Sequence, residues 1–437
     1  MITHCSHFTV SLQSKVRAVF CLVLLFVAVS LCAQTVSPLD ELKADPRKAY
    51  GTDYPYSFEK VTLTKAPKGY KPFYISHYGR HGSRYAWNSK TYTLMHEVLS
   101  AAHEAGKLTP RGEDFYEKFE AFYPTPLINT GDLTPLGWEQ HRRIAAWVYG
   151  QFPEVFRKAR TVDAIVSTAP RSIVSMNSFC LSLKEKNPKL QFYQSSTHTG
   201  LPVVTPTSAP KALKRTFQTG DFSHIESVAH FNERFIDYEG ILGRIFTDTA
   251  FPSQFEGGRT AFVTELYSLL GGYHNYEERP LFDDLITNSQ FVNLWEALNY
   301  YSWHFDLTAR YQNIPLLEDV IAKAEAAFDD PDRAADLRFG HDYVFEAFLC
   351  LINVNGCGTI PKHASEVKYW FQSYNVPMAA TLLFVFYQNR QGDILFKLML
   401  NEVEAALPQL TPVSGPYYRW SDFKAWAAGL MAAHPEI

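Results

Sequence analysis

The chain has 437 residues, of which 46% are hydrophobic and 15% aromatic, enough for an ordinary apolar core without a disulfide framework. Its 41 basic and 45 acidic residues leave a net charge of −4, which argues against nucleic acid as the ligand.

The N-terminus carries Lys15 and Arg17, has no acidic residue before Asp40, and runs apolar from Ala18 to Cys32 ahead of Ala33. This reads as a signal peptide, residues 1–33, cleaved after Ala33. The apolar run is about fifteen residues, short of the roughly 20 that span a bilayer, so no stable membrane span is expected after cleavage. Leu31 before Cys32 is not the small residue that a lipoprotein signal requires. Cleavage removes two basic residues and no acid, together with Cys5, Cys21 and Cys32. Cys180, Cys350 and Cys357 then remain, so at most one bridge can form; sequence does not fix its partners, Cys350 with Cys357 being one option.

Residues 34–72 read as irregular, rich in Pro, Gly and Tyr. A strand follows at Phe73–Tyr78 and leads into Arg80-His81-Gly82-Ser83-Arg84. Leu94, Met95, Val98, Leu99 and Ala102 repeat at helical spacing, which predicts a helix over 91–105 closed by Gly106. Thr134 followed by Pro135 is a helix start. Val162–Ser167 is a strand ending in Thr168-Ala169-Pro170-Arg171, and 172–183 a helix. Residues 195–330 carry aromatic and Leu residues at helical spacing and no alternation. Strands resume at Leu337–Phe339, before Gly340-His341-Asp342, and at 381–387 and 394–400.

This order implies an α/β fold: a mostly parallel sheet flanked by helices, with a largely helical cap inserted. The expected core is 34–194 and 331–437, and the cap is 195–330. Parallel sheets bind ligands at the carboxyl ends of their strands, where Arg80, His81, Arg84, Arg171, His341 and Asp342 all fall.

Arginine forks grip phosphate oxygens in pairs, and an imidazole held between them can attack phosphorus. Three such strand ends in one chain make a site rather than three solvated loops. Spacings such as His-Glu-x-x-His are absent despite 15 histidines, so no metal and no cofactor is expected. His77 reads as structural. Glu346, one helical turn after Asp342, reads as a helix-surface residue within reach of its charge.

On Arg80 to Arg84, Ser167 to Ser172, Leu133 to Gln140 and His341-Asp342, in that order and spacing, the chain resembles the histidine acid phosphatases. The resemblance implies that His81 is the nucleophile, that Arg80, Arg84, Arg171 and His341 bind phosphate, and that Asp342 is the proton donor. The context of His341 and of Val376 to Ala380 is similar to the multiple inositol polyphosphate phosphatase branch. That branch usually has His-Ala-Glu, whereas here the acid is adjacent and Tyr343 stands two residues along, as in phytases and other acid phosphatases.

The expected substrate is thus a small phosphate monoester, inositol polyphosphates first, with a broad-specificity or sugar-phosphate phosphatase as the alternative. A mutase-like phosphoryl transferase and a non-catalytic phosphate-binding protein are further alternatives. Tyr85, Trp87, Asn88 and Lys90 follow the motif and could line the pocket, and Lys211, Lys214 and Arg215 could meet further phosphates. With a signal peptide, the enzyme is expected to be secreted or periplasmic.

Overall fold

Strand β1, Lys71–Arg80, is buried from Tyr74 to its end. Burial on both faces is what a central strand needs, and it explains the near-continuous apolar reading of 73–78. The computed structural model describes residues 37–58, 61–219, 222 and 224–437; the expected signal segment lies outside them. The chain divides between Asp45 and Pro46 into two compact units. The first contains a short helix, Pro38–Ala44, and the second opens on a 3-10 segment, Pro46–Asp53, so the stretch expected to be irregular is partly helical.

The second unit, Pro46–Ile437, holds an eight-stranded sheet. Its strands are β1, β2 (Thr161–Val166), β3 (Gln191–Ser195), β4 (Arg333–Gly340), β5 (Thr381–Gln388), β6 (Ile394–Leu400), β7 (Val403–Ala405) and β8 (Tyr418–Arg419). The order is β3-β2-β4-β1-β5-β6-β7, with β8 also on β6. Pairing is parallel from β3 through β1 and antiparallel from β1 outward to β7 and β8. The expected α/β architecture is therefore present.

Alternate residues divide the two faces. Tyr74, Tyr78, Leu382, Phe384, Phe386, Phe396 and Leu398 join one core with the helices Ile314–Phe328, Asp342–Leu351 and Trp420–Ala433. Ile75, Val162, Ala164, Leu337, Phe339, Leu383 and Val385 join the other with the helices Pro135–Gln151 and Pro170–Lys186. This period of two is the pleat expressed in packing.

Between β3 and β4 the described residues form helices and turns, apart from isolated bridges at Phe217 and Phe246. Two earlier helices, Lys90–Glu104 and Pro110–Phe122, pack on the helices Gly258–Gly272 and Tyr238–Ile245 of this segment. The helical layer thus draws on 90–122 as well as on the later insertion. No described helix is long and apolar enough to cross a membrane. Cys180, Cys350 and Cys357 are buried free thiols, with the Cys350 sulfur 3.6 Å from the Cys357 carbonyl oxygen.

Candidate active site

The loop after β1 is tied down at nearly every backbone group. The Arg80 amide donates to the Ala380 carbonyl (2.9 Å) and the His81 amide to Gly340 (3.1 Å). Gly82 N–H reaches Ser175 Oγ (3.0 Å) and Ser83 N–H reaches Gln140 Oε1 (2.8 Å). Thr134, the cap of the helix Pro135–Gln151, gives its own amide and its hydroxyl to the Ser83 carbonyl, and its oxygen accepts from Gly137 N–H.

This seating requires a glycine at position 82. A Cβ there would lie 2.5 Å from the Gly137 carbonyl oxygen, and a Cβ on Gly137 would lie 2.3 Å from that of Ser83. Two backbones touch where neither can carry a side chain.

His81 Nδ1 lies 2.9 Å from its neighbour's carbonyl, that of Gly82. A carbonyl only accepts, so Nδ1 carries the proton and Nε2 keeps its lone pair. Burial, then the charges of Arg80, Arg84 and Arg171, hold the imidazole well below its ordinary pKa. It is a neutral base at neutral and mildly acidic pH.

Arg80 is fully buried. One guanidinium nitrogen donates to the carbonyls of Thr52 and Val376, and the other pairs with Asp342 at 2.7 Å. Arg84 pairs with Asp53 at 3.5 Å. Arg171 stands in the first turn of the helix Pro170–Lys186, beside Gly131. The Nε–H groups of Arg80, Arg84 and Arg171 are buried and have no partner among the described residues. The three guanidinium charges lie near enough to act on His81 together, the arrangement an anion site needs.

His341 closes the opposite wall, its ring centre 5.5 Å from that of His81 and its Nε2 3.0 Å from Ser167 Oγ. Burial and Arg171 push its pKa down to about 4, so it is uncharged in the ligand-free site. Tyr343 lies flat against it, ring centres 5.6 Å apart. Asp342 opens the helix that follows, its side chain 25% exposed. Burial pushes its carboxyl up, but Arg80 and Arg84 outweigh this and hold it at about 2.

The structure brings together His81, Arg80, Arg84, Arg171, His341 and Asp342. Of the pocket candidates, Tyr85 packs on Tyr276, Trp87 is 64% exposed, and Asn88 caps the turn to Lys90. Lys90 lies 3.6 Å from Glu256. Lys211 and Lys214 are exposed in the segment that also brings Ser208 to within 3.5 Å of the Tyr343 hydroxyl. Arg215 is not with them: Glu318 and Glu436 hold its guanidinium. Asp53, Asn275, Ser175 and Tyr343 were not singled out from sequence; only Tyr343 had a local cue, its place beside the His-Asp pair. Glu346, expected on the helix surface, is buried.

No family model and no curated protein matches the chain. Among solved structures, the multiple inositol polyphosphate phosphatase of Bifidobacterium longum in complex with inositol hexasulfate is similar at a TM-score of 0.72 and 17% identity, covering 89% of this chain and 99% of that one. The phytase of D. castellii aligns at 0.67 and 14%, covering 92% and 89%. The Hafnia alvei phytase in complex with myo-inositol hexakis sulphate aligns at 0.56 and 14%, covering 84% and 98%. The chain therefore has the fold shared by multiple inositol polyphosphate phosphatases and phytases.

Proposed function

We propose that the protein is an exported phosphomonoesterase that hydrolyses inositol polyphosphates through a phosphohistidine. The observation that carries this reading is the His81 imidazole, its Nδ1 fixed by the Gly82 carbonyl, set among the charges of Arg80, Arg84 and Arg171. A fold shared with phytases supports it.

The phosphate monoester seats on Arg80, Arg84 and Arg171 with phosphorus in line with Nε2. Nε2 forms the N–P bond as the P–O bond to the leaving alcohol breaks, and Asp342 gives that oxygen its proton. The resulting carboxylate takes a proton from water, which attacks phosphorus and returns His81 with inorganic phosphate. With its carboxyl held at about 2, Asp342 is ionised in the structure. Substrate charge beside Arg80 and Arg84 offsets the guanidinium pull and raises the carboxyl toward its acid form, so the proton donor is made by binding. His341 gains a proton on the same ground and becomes a cationic phosphate ligand.

Lys211 and Lys214 would meet phosphates beyond the one being cleaved. The test is inorganic phosphate release from phytate, a sugar phosphate and p-nitrophenyl phosphate, by wild type, His81→Ala and Asp342→Asn, with and without a chelator. Undiminished activity in His81→Ala would remove the nucleophile assignment, and loss of activity with chelator alone would remove the metal-free mechanism.

A further inference from the structure

Behind Asp342 lies a second pair of acids that this chemistry leaves unused. Glu346 follows Asp342 by four residues on the helix Asp342–Leu351, about 6 Å along its axis. Asp306 reaches it from the helix Asn288–Ala309. Both residues are almost fully buried, and Glu346 Oε1 and Asp306 Oδ1 have no hydrogen-bond partner among the described residues. Among the described residues no arginine or lysine is bonded to either. The groups that face them are Asp342 and Cys350 on the same helix, Cys357 just after it, and Arg80 from β1, already paired with Asp342.

Two carboxyls in contact inside a core cannot both be ionised. Burial raises both, Asp306 furthest, and the charge of Asp342 adds to it; Glu346 raises Asp306 further, whereas the hydrogen bond from Asp306 draws Glu346 partly back down. The pair therefore retains protons at a pH where surface acids have lost theirs.

We infer that Glu346 and Asp306 are positioning residues that share protons behind the active site and, by releasing one as pH rises, place a negative charge under the proposed phosphate site and weaken phosphate binding. The inference rests on the proposed phosphate site, though not on its chemistry. Loss of the proton puts one charge a helical turn from Asp342, near enough through protein to change dianion affinity by about tenfold.

The probe is inorganic sulfate, a dianion throughout the range, so its affinity reports titration of the protein alone. Calorimetry or thermal-shift titration of the full chain from about pH 6 to about pH 9 is expected to show wild-type sulfate affinity falling about tenfold more than that of Glu346→Gln, whose remaining fall is that of His341 and Asp342. An unchanged fall in Glu346→Gln would overturn the inference, as would a uniform loss of affinity at every pH, the mark of a merely structural role. Asp306→Leu gives a second reading, with the fall moved to higher pH because the hydrogen bond that holds the Glu346 carboxyl down is lost; a profile identical to wild type in this variant counts against the pair. Wild type that binds sulfate with this pH dependence but releases no phosphate from any ester would sink the proposed function and leave the dyad standing.

Discussion

The two halves of the sheet differ in what they bury. The parallel half, β3-β2-β4-β1, ends in polar groups: Arg80, His81, Ser167 and His341 are all nearly inaccessible to solvent. The antiparallel half packs Phe384, Phe386 and Phe396 against Trp420 and Phe423, ring on ring at centre distances of 4.9 to 5.9 Å. One half holds groups that want a ligand, and the other supplies the apolar burial that keeps them in place. The halves meet at Arg80, whose amide and guanidinium donate to the carbonyls of Ala380 and Val376 at the entry to β5.

Substitutions should therefore separate activity from stability according to the half they strike. His81→Ala is expected to lower kcat by at least about 10⁴-fold while leaving the urea midpoint near wild type; a large shift in midpoint would break the division. Asp342→Asn should cost about 10²- to 10⁴-fold on alkyl phosphates and much less on p-nitrophenyl phosphate, whose leaving group needs no proton. Phe396→Ala in the antiparallel half should destabilise by about 3–5 kcal/mol, with kcat/KM of the folded fraction unchanged.

The buried histidines give the division a pH signature. Burial holds His77 and His81 well below the ordinary imidazole value, and His141 down at about 3. The unfolded chain protonates near about pH 6.5 and the folded one does not, so their contribution is complete above that pH and is lost as pH falls below it. Urea unfolding from about pH 8 to about pH 4.5 should show stability declining through this window. The neutral nucleophile should at the same time keep working below about pH 6.5, which a kcat/KM profile checks. The smallest effect is expected at Arg215→Ala: its partly exposed pairs with Glu318 and Glu436 are worth about 1 kcal/mol or less, and phytate turnover should not change.

What sequence made legible was local. The burial of β1, the Thr134 cap and the strand ends at Arg80, Arg171 and His341 follow from patterns within about ten residues. β3, Gln191–Ser195, was missed because it is an edge strand with a mostly exposed, polar sequence. Gln140, Ser175 and Asn275, which hold the Gly82-Ser83 backbone and the Ser83 hydroxyl, lie 57 to 192 residues away from that loop. Their relation to it exists only after folding. Glu346 was misplaced for a related reason: its helix is apolar on nearly every side, so spacing alone does not reveal which face meets solvent.

The contact of Gly82 with Gly137 also bears on how a ligand is received. Because the His81 loop rests on a helix with no side chain between them, its position is set when the chain folds, and the proposed phosphate ligand has no loop to order. Anion capture should then be a single step, with a relaxation rate that rises linearly with ligand concentration and shows no plateau from a prior opening.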